Sequence, residues 1–201
     1  MAEEKESRIL DPMLCSVTPE ELLSGKLVGL GAAGLTLVGI WVAMGAVAFG
    51  GGAMLVKPTL PPGILLIALA YFLAAYLFYG SLMTGIGSVT SNMREAQQFG
   101  VWFSFLNFAP MIGMTLILSR PGGPLATGLS LFPPTAATAM MLRLMAPSSV
   151  VPPWQIGVSL GLLVGAGYLA LMFSARVFRI GLLMYGKSPT LPEIMRWARQ
   201  K

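Results

Sequence analysis

Apolar residues run almost without interruption through four stretches of this chain: Leu27 to Gly50, Gly63 to Val89, Phe99 to Leu118, and Trp154 to about Phe178. Roughly 20 apolar residues in a helix cross the hydrocarbon core of a bilayer, so each stretch predicts a span. None contains an acidic residue, and the only charges, Arg176 and Arg179, sit at the end of the last run, where long side chains can reach the interface. Breakers follow each run: Gly50-Gly-Gly52 with Pro58, Pro61 and Pro62; Ser88 to Asn92; Pro121-Gly-Gly-Pro124; and Gly186 to Pro189. The pattern predicts an all-α integral membrane protein of about four transmembrane helices, spanning 27–50, 63–89, 99–118 and 154–178.

The segment Leu125 to Ala146 is too apolar for an ordinary loop, yet Pro133-Pro134 divides it into pieces too short to span. Irregular backbone at membrane depth must be covered by protein, so 125–146 is expected to form a re-entrant or interfacial helical segment before the last span. Reading it as a fifth, imperfect span would reverse the final helix and put the basic tail outside.

The basic residues give the orientation. With the N-terminus cytoplasmic, the inner side holds Lys5, Arg8, Lys26, Arg94, Arg176, Arg179, Lys187, Arg196, Arg199 and Lys201, and the outer side holds Lys57, Arg120 and Arg143. This bias toward the inside predicts that both termini are cytoplasmic. Composition agrees with a membrane protein, since 55% of the 201 residues are hydrophobic and only 10% charged. The net charge of +5 is spread singly, without the basic stripe and interleaved aromatics that nucleic acid requires. No nucleic-acid partner is expected.

Two stretches flank the spans. Residues 1–26 are charged and amphipathic, with Ile9, Leu10, Met13, Leu14 and Val17 apolar and Asp11-Pro12 interrupting helical geometry. They predict a cytoplasmic amphipathic elbow, either docked on a partner or lying on lipid. Thr18-Pro-Glu-Glu21 combines an N-cap, a proline at the first helical position and a glutamate three residues on, and should launch the first long helix. The cytoplasmic tail, 179–201, opens a short helix at Thr190-x-x-Glu193, suited to the membrane surface.

Catalytic readings fail on residue types. There is no histidine, Cys15 is the only cysteine, and no span pairs carboxylates. Gly181-Leu-Leu-Met-Tyr-Gly186-Lys187-Ser188 matches the phosphate-loop pattern, but it follows a membrane helix, its middle is bulky and Pro189 blocks the helix that must follow. It is read as a helix end capped by Gly186. The chain is expected to be no enzyme and to bind no cofactor. Gly25-x-x-x-Gly29 and the series Gly157, Gly161 and Gly165 form small-residue ridges, expected to serve packing within the chain. Asn107, three residues before Pro110, either caps a kink or lines a pathway.

In order and spacing these pieces resemble the C-terminal part of type-2 ABC exporter permeases, in particular the NatB-like sodium-export branch. The matching pieces are Glu3 to Asp11 with Thr18 to Lys26; Arg94-Glu-Ala-Gln-Gln98; Ser130-Leu-Phe-Pro-Pro134 followed by Met141 and Arg143; and Ala175 to Lys187 with Pro192 to Trp197. The resemblance implies an ATP-driven exporter permease in a bacterial or archaeal cytoplasmic (inner) membrane, working by alternating access. ATP and magnesium would be bound by a separate cytoplasmic ABC ATPase subunit. Coupling to that subunit would fall to Glu4, Glu6, Arg8, Glu20 and Glu21 of the elbow and to Arg94, Glu95 and Gln98. In such permeases an additional span, an external region and a second span precede the elbow. Here Met1-Ala2 stands before it, so the expected partners include a second permease copy or a separately encoded N-terminal half. The alternative is a non-transporting membrane anchor or assembly remnant of such a permease.

Overall fold

The computed structural model describes residues 17–50, 62–90, 92–146 and 151–181. Every regular element among them is a helix: α1 Pro19–Gly50, α2 Pro62–Val89, α3 Met93–Ile112, α4 Met114–Ser119, α5 Pro124–Leu131, α6 Pro133–Met145 and α7 Pro153–Gly181. Proline opens five of these seven helices, at the position where its fixed φ suits the helix and its missing N–H costs no internal bond. The elbow upstream of Val17, Asp11-Pro12 and the tail beyond Gly181 lie outside the described residues.

Helix α1 starts as its sequence predicts. The Thr18 backbone N–H donates to Glu21 Oε2 at 2.8 Å, and the Glu21 N–H donates to Thr18 Oγ1 at 3.3 Å. This reciprocal pair satisfies two N–H groups that the first turn leaves without helical partners.

Three described helices are long and apolar enough to cross a membrane, over Ser24–Gly45, Gly63–Val89 and Pro153–Val177. The run 99–118, expected as one further span, is helical but divided between α3 and α4 at Gly113. Pro110 is buried inside α3, three residues before the break. It cannot donate to the carbonyl one turn back, and its ring crowds that carbonyl. Gly113 then leaves helical geometry at φ −89° and ψ 11°, and α4 restarts with Ile117 donating to the Gly113 carbonyl at 2.9 Å.

The center of the bundle is the pair α2 and α7. The Tyr71 hydroxyl donates to the Ile156 carbonyl at 3.1 Å, and the Ser174 hydroxyl donates to the Ser81 carbonyl at 2.6 Å. Between these ties, a Cβ on Gly167 would lie 3.3 Å from the Phe78 backbone nitrogen. Contacts therefore advance along both chains together, and the two helices run parallel. Tyr71, Ala74 and Phe78 of α2 bury against Leu163 and Ala170 of α7, together with Ala136 and Met140 of α6.

Parallel α2 and α7 require the chain between them to return to the end from which α2 started. Helices α3 and α4 make that return. Segment 125–146 then folds as α5 and α6, separated by Phe132 and packed beside the first halves of α2 and α7. Ile117 of α4, Ala126 of α5 and Leu142 of α6 form a small second core beneath this pair. The segment thus turns back on itself as two short helices.

The glycine ridges named above behave differently from expectation. A Cβ on Gly25, Gly29, Gly157, Gly161 or Gly165 would meet nothing within 4 Å, so these residues do not pack closely against another helix among the described residues. Close approach falls to glycines outside the fourfold pattern. A Cβ on Gly85 would collide with Ser174 Oγ and lie 3.2 Å from Ser174 Cα. Periodicity marks which residues share a face, whereas the partner helix decides which face is covered.

This difference is testable by thermal unfolding in detergent micelles. Gly85→Ala is expected to destabilize, because overpacking costs about 1–3 kcal/mol while helix propensity returns only up to about 1 kcal/mol. Gly161→Ala should be neutral or mildly stabilizing. Equal effects of the two substitutions would contradict the α2–α7 interface described.

Candidate functional site

Arg143 is the largest fully buried side chain among the described residues, at 1% exposure. It stands near the end of α6, and its guanidinium fork spreads over three separate parts of the chain. Nε donates to the Pro121 carbonyl at 2.7 Å, Nη1 to Ser130 Oγ at 2.6 Å and Nη2 to Gln155 Oε1 at 2.7 Å. These acceptors belong to the turn after α4, to α5 and to the first turn of α7. All three are neutral. A buried cation is tolerated when its N–H groups are matched by oriented acceptors, and the rigid planar fork of arginine supplies that match.

The same cage continues outward. Ser130 accepts from Arg143 while its own hydroxyl donates to the Thr127 carbonyl at 2.9 Å. The Ser130 carbonyl in turn accepts from the Ser159 hydroxyl of α7. Thr135 donates across the α5–α6 joint to the Leu129 carbonyl at 2.7 Å, and the Tyr79 hydroxyl of α2 donates to the Pro134 carbonyl. The turned-back segment is therefore fastened to α2 and α7 by polar bonds inside an apolar core. Charge counting places Arg143 on the outer side without saying whether it is buried; a lone charge on an otherwise apolar short helix is the signal that it is.

Beside this cage a groove follows the face of α2 turned away from α7. Three hollows of about 560, 600 and 530 Å³ line up along it. The first lies between α2, α3 and α6, the second between α2 and α3, and the third between α1, α2 and α3. Tyr79 and Asn107 border both the first and second, Met83 and Gln97 both the second and third, and Tyr76 both the first and third. Asn107 Oδ1 accepts a hydrogen bond from the Thr138 hydroxyl at 2.8 Å, tying α3 to α6 on the groove wall. Three residues on, Pro110 is buried at the bend of α3. Asn107 thus both braces the bent helix and lines the groove.

The described residues among the other candidates occupy the opposite end of the bundle. Glu4, Glu6 and Arg8 lie outside the described residues. Glu20 stands in the first turn of α1. Glu21 is engaged in the capping box, and the Thr18 backbone N–H holds its carboxyl below the usual value of 4.5. Arg94, Glu95 and Gln98 fall in the first turns of α3, Arg94 and Gln98 exposed and Glu95 half-buried. The starts of α1 and α3 share one wall, because the third hollow is lined by Lys26, Leu27 and Leu30 together with Met93, Ala96 and Gln97. Two regions distant in sequence thus meet at one end.

Comparison with known proteins places this geometry. The family model described as ABC-2 family transporter protein matches residues 1–176. The uncharacterized protein MJ1024 of Methanocaldococcus jannaschii is 32% identical over 194 residues, covering 96% of this chain and 47% of its own length. The uncharacterized protein YhaP of Bacillus subtilis is 26% identical over 209 residues, covering 99% of this chain and 49% of its own. The chain spans about half the length of these curated relatives. No solved structure matches it.

Two outcomes follow from the site. Arg143→Leu removes the charge but leaves three neutral acceptors without their donor, and is expected to destabilize by about 1–3 kcal/mol for each acceptor that stays buried and unsatisfied. Arg143→Lys keeps the charge but not the fork, and should recover only part of that loss in thermal unfolding. Wild-type stability in both variants would contradict the cage. The capping box makes a pH-dependent contribution, because Glu21 has a lowered folded pKa: it is complete above 4.5 and fades as pH falls through the lowered value. The Thr18 amide proton shift should report that titration by NMR, and Glu21→Gln should abolish it.

Proposed function

The chain belongs to the ABC-2 transporter family, and from that premise we propose that it is the membrane-spanning permease part of an ATP-driven exporter. ATP and magnesium are bound and ATP is hydrolyzed in a separate cytoplasmic ABC ATPase subunit, and this chain converts the resulting motion into alternating access. The chain spans about half the length of its curated relatives, and a second permease copy is the membrane partner this reading proposes. Both termini face the cytoplasm of a bacterial or archaeal cell, and α5 and α6 lie at the outer side.

The observation carrying this reading is the meeting of α1 and α3 at one end of the bundle, opposite the fastened α5–α6 segment. A force applied to the charged starts of α1 and α3 acts on helices that border the groove, while α2, α6 and α7 remain tied together. Residues 1–26 and Arg94, Glu95 and Gln98 form the docking surface for the ATPase. Sodium is the substrate that the NatB-like resemblance implies.

Co-purification with a candidate ABC ATPase subunit from the same organism tests the reading. Glu20→Lys combined with Arg94→Glu should reduce recovery of the ATPase several-fold while leaving membrane insertion unchanged. Glu21 is spared in this test because its reversal would also break the helix cap. Unchanged recovery would remove the docking role, and failure of the wild-type chain to recover any ATPase would favor the membrane-anchor alternative.

A further inference from the structure

At the end of the bundle that holds α5 and α6, positive charge stands without a negative counterpart. The chain has eight acidic residues, and none lies between Glu95 and Glu193. Those among the described residues, Glu20, Glu21 and Glu95, all stand where α1 and α3 start, at the opposite end. Arg143 is therefore a buried cation whose three bonds go to neutral oxygens. Those acceptors satisfy its N–H groups, yet its charge stays uncompensated in apolar surroundings, where a lone charge is unfavorable. An anion at the nearest surface would offset part of that penalty.

The guanidinium fork marks where that surface lies. Arginine carries donors only, so the Gln155 side-chain oxygen must face Arg143 and the amide nitrogen occupies the other branch. Gln155 is half-buried, and among the described residues its amide nitrogen has no acceptor. Through Nε the same fork holds the Pro121 carbonyl. The residue before Pro121 is Arg120, exposed at the end of α4, and among the described residues its guanidinium has no hydrogen bond or ion pair. A Cβ on Gly122 would meet nothing within 4 Å, so the space beside this turn is open. One buried cation thus holds an unpartnered amide close to the turn that carries an exposed, unpartnered cation.

The surface leading to this rim is bare hydrocarbon. Leu116 lies one turn before Arg120, whose backbone N–H donates to the Leu116 carbonyl at 3.0 Å, and Ile112 lies four residues further back. Leu116 is 60% exposed and Ile112 86%. Arginine at the end of an apolar stretch rests its stem on hydrocarbon and puts its head at the interface. Trp154, next to Gln155 in the first turn of α7, is 63% exposed, as suits a residue at the level of lipid headgroups.

We propose that this rim binds the headgroup of an anionic phospholipid, its phosphate held by Arg120 and the Gln155 amide and its acyl chains lying along Leu116 and Ile112. The planar arginine fork and an amide donor beside it suit the several acceptor oxygens of a phosphate. The net negative charge, which a zwitterionic headgroup lacks, is the countercharge missing around Arg143. An acidic protein segment would supply that charge as well, but the exposed aliphatic carbon beneath it calls for acyl chains. The lipid therefore reinforces the Arg143 cage from outside. The inference rests on the membrane-spanning architecture and is independent of coupling to an ATPase.

The test uses the full chain in phosphatidylcholine nanodiscs with and without phosphatidylglycerol. Phosphatidylglycerol should raise thermal stability. A phosphatidylglycerol with a photoreactive acyl chain should label the segment around Leu116 saturably and be competed by the unlabeled lipid, whereas phosphatidylcholine with the same chain should label without saturation. Arg120→Gln should weaken the saturable labeling roughly tenfold, a loss of about 1.4 kcal/mol, without changing stability in phosphatidylcholine alone, and Arg120→Lys should recover most of it. Gln155→Glu still accepts from Arg143 and supplies the missing charge within the chain, so stability in phosphatidylcholine should hold or rise while the response to phosphatidylglycerol disappears. Should Gln155→Glu fail to fold, the Arg120 variants and the two probes decide. A response indifferent to headgroup charge, or one that survives Arg120→Gln, overturns the proposal. So does equal stabilization by inorganic phosphate in phosphatidylcholine alone, or crosslinking of a second copy of the chain at Arg120 in place of lipid. None of these readouts needs an ATPase, so failure of ATPase co-purification leaves this site standing.

Discussion

A single buried guanidinium ties the bundle together. Arg143 reaches the turn after α4, helix α5 and helix α7 from its own place on α6, and no apolar side chain could make three directed bonds of that kind. Its desolvation is offset by neutral acceptors held at hydrogen-bonding distance, so breaking any one of them leaves a buried polar atom unsatisfied. The dependence runs both ways: α5 and α6 are too short to be stable alone, and the cage gives them a fixed place against α2 and α7. Ser159 on Ser130 and Tyr79 on Pro134 add bonds from the two flanking helices.

From this constraint follows a division between rigid and loosely held parts. Helices α2, α6 and α7 share one core around Tyr71, Phe78, Met140 and Leu163. Helix α1 stands apart, with Val28 and Val47 more than 70% exposed, and its ties to α2 cluster around Leu27, Gly31, Tyr76 and Gly80. In a membrane its bare apolar faces are covered by lipid tails or by neighboring helices. A lever attached at the start of α1 would meet little resistance, while the Arg143 cage keeps the opposite end in place.

Much of this architecture was legible in the sequence, for physical reasons that differ by element. The long apolar runs announced α1, α2 and α7, because length and apolarity are properties of the segment alone. Thr18 and Glu21 announced the start of α1, because a capping box closes within one turn. Pro133-Pro134 announced that 125–146 could not be one helix across the membrane. The break at Gly113 was foreshadowed by Pro110 but not located, since a proline bends a helix without saying where it stops. Most of the site was invisible: Arg143 finds its partners at Pro121, Ser130 and Gln155, and no spacing rule connects those positions. The glycine ridges misled for the same reason. Gly161 and Gly85 look alike in sequence, and only the helix opposite distinguishes them.

A permease of this design should move α1 as a lever against a fixed α2–α7 block. Spin labels at Val28 and Met83 report the α1–α2 separation, and labels at Leu73 and Leu162 report the block, in the full chain bound to the proposed ATPase subunit, with Cys15 replaced by serine. Pulsed electron-electron distance measurements with and without ATP test the claim directly. A change of several ångströms between Val28 and Met83, with Leu73 and Leu162 unchanged, is the result this account predicts. A fixed α1–α2 distance, or an equal shift within the α2–α7 pair, would contradict it.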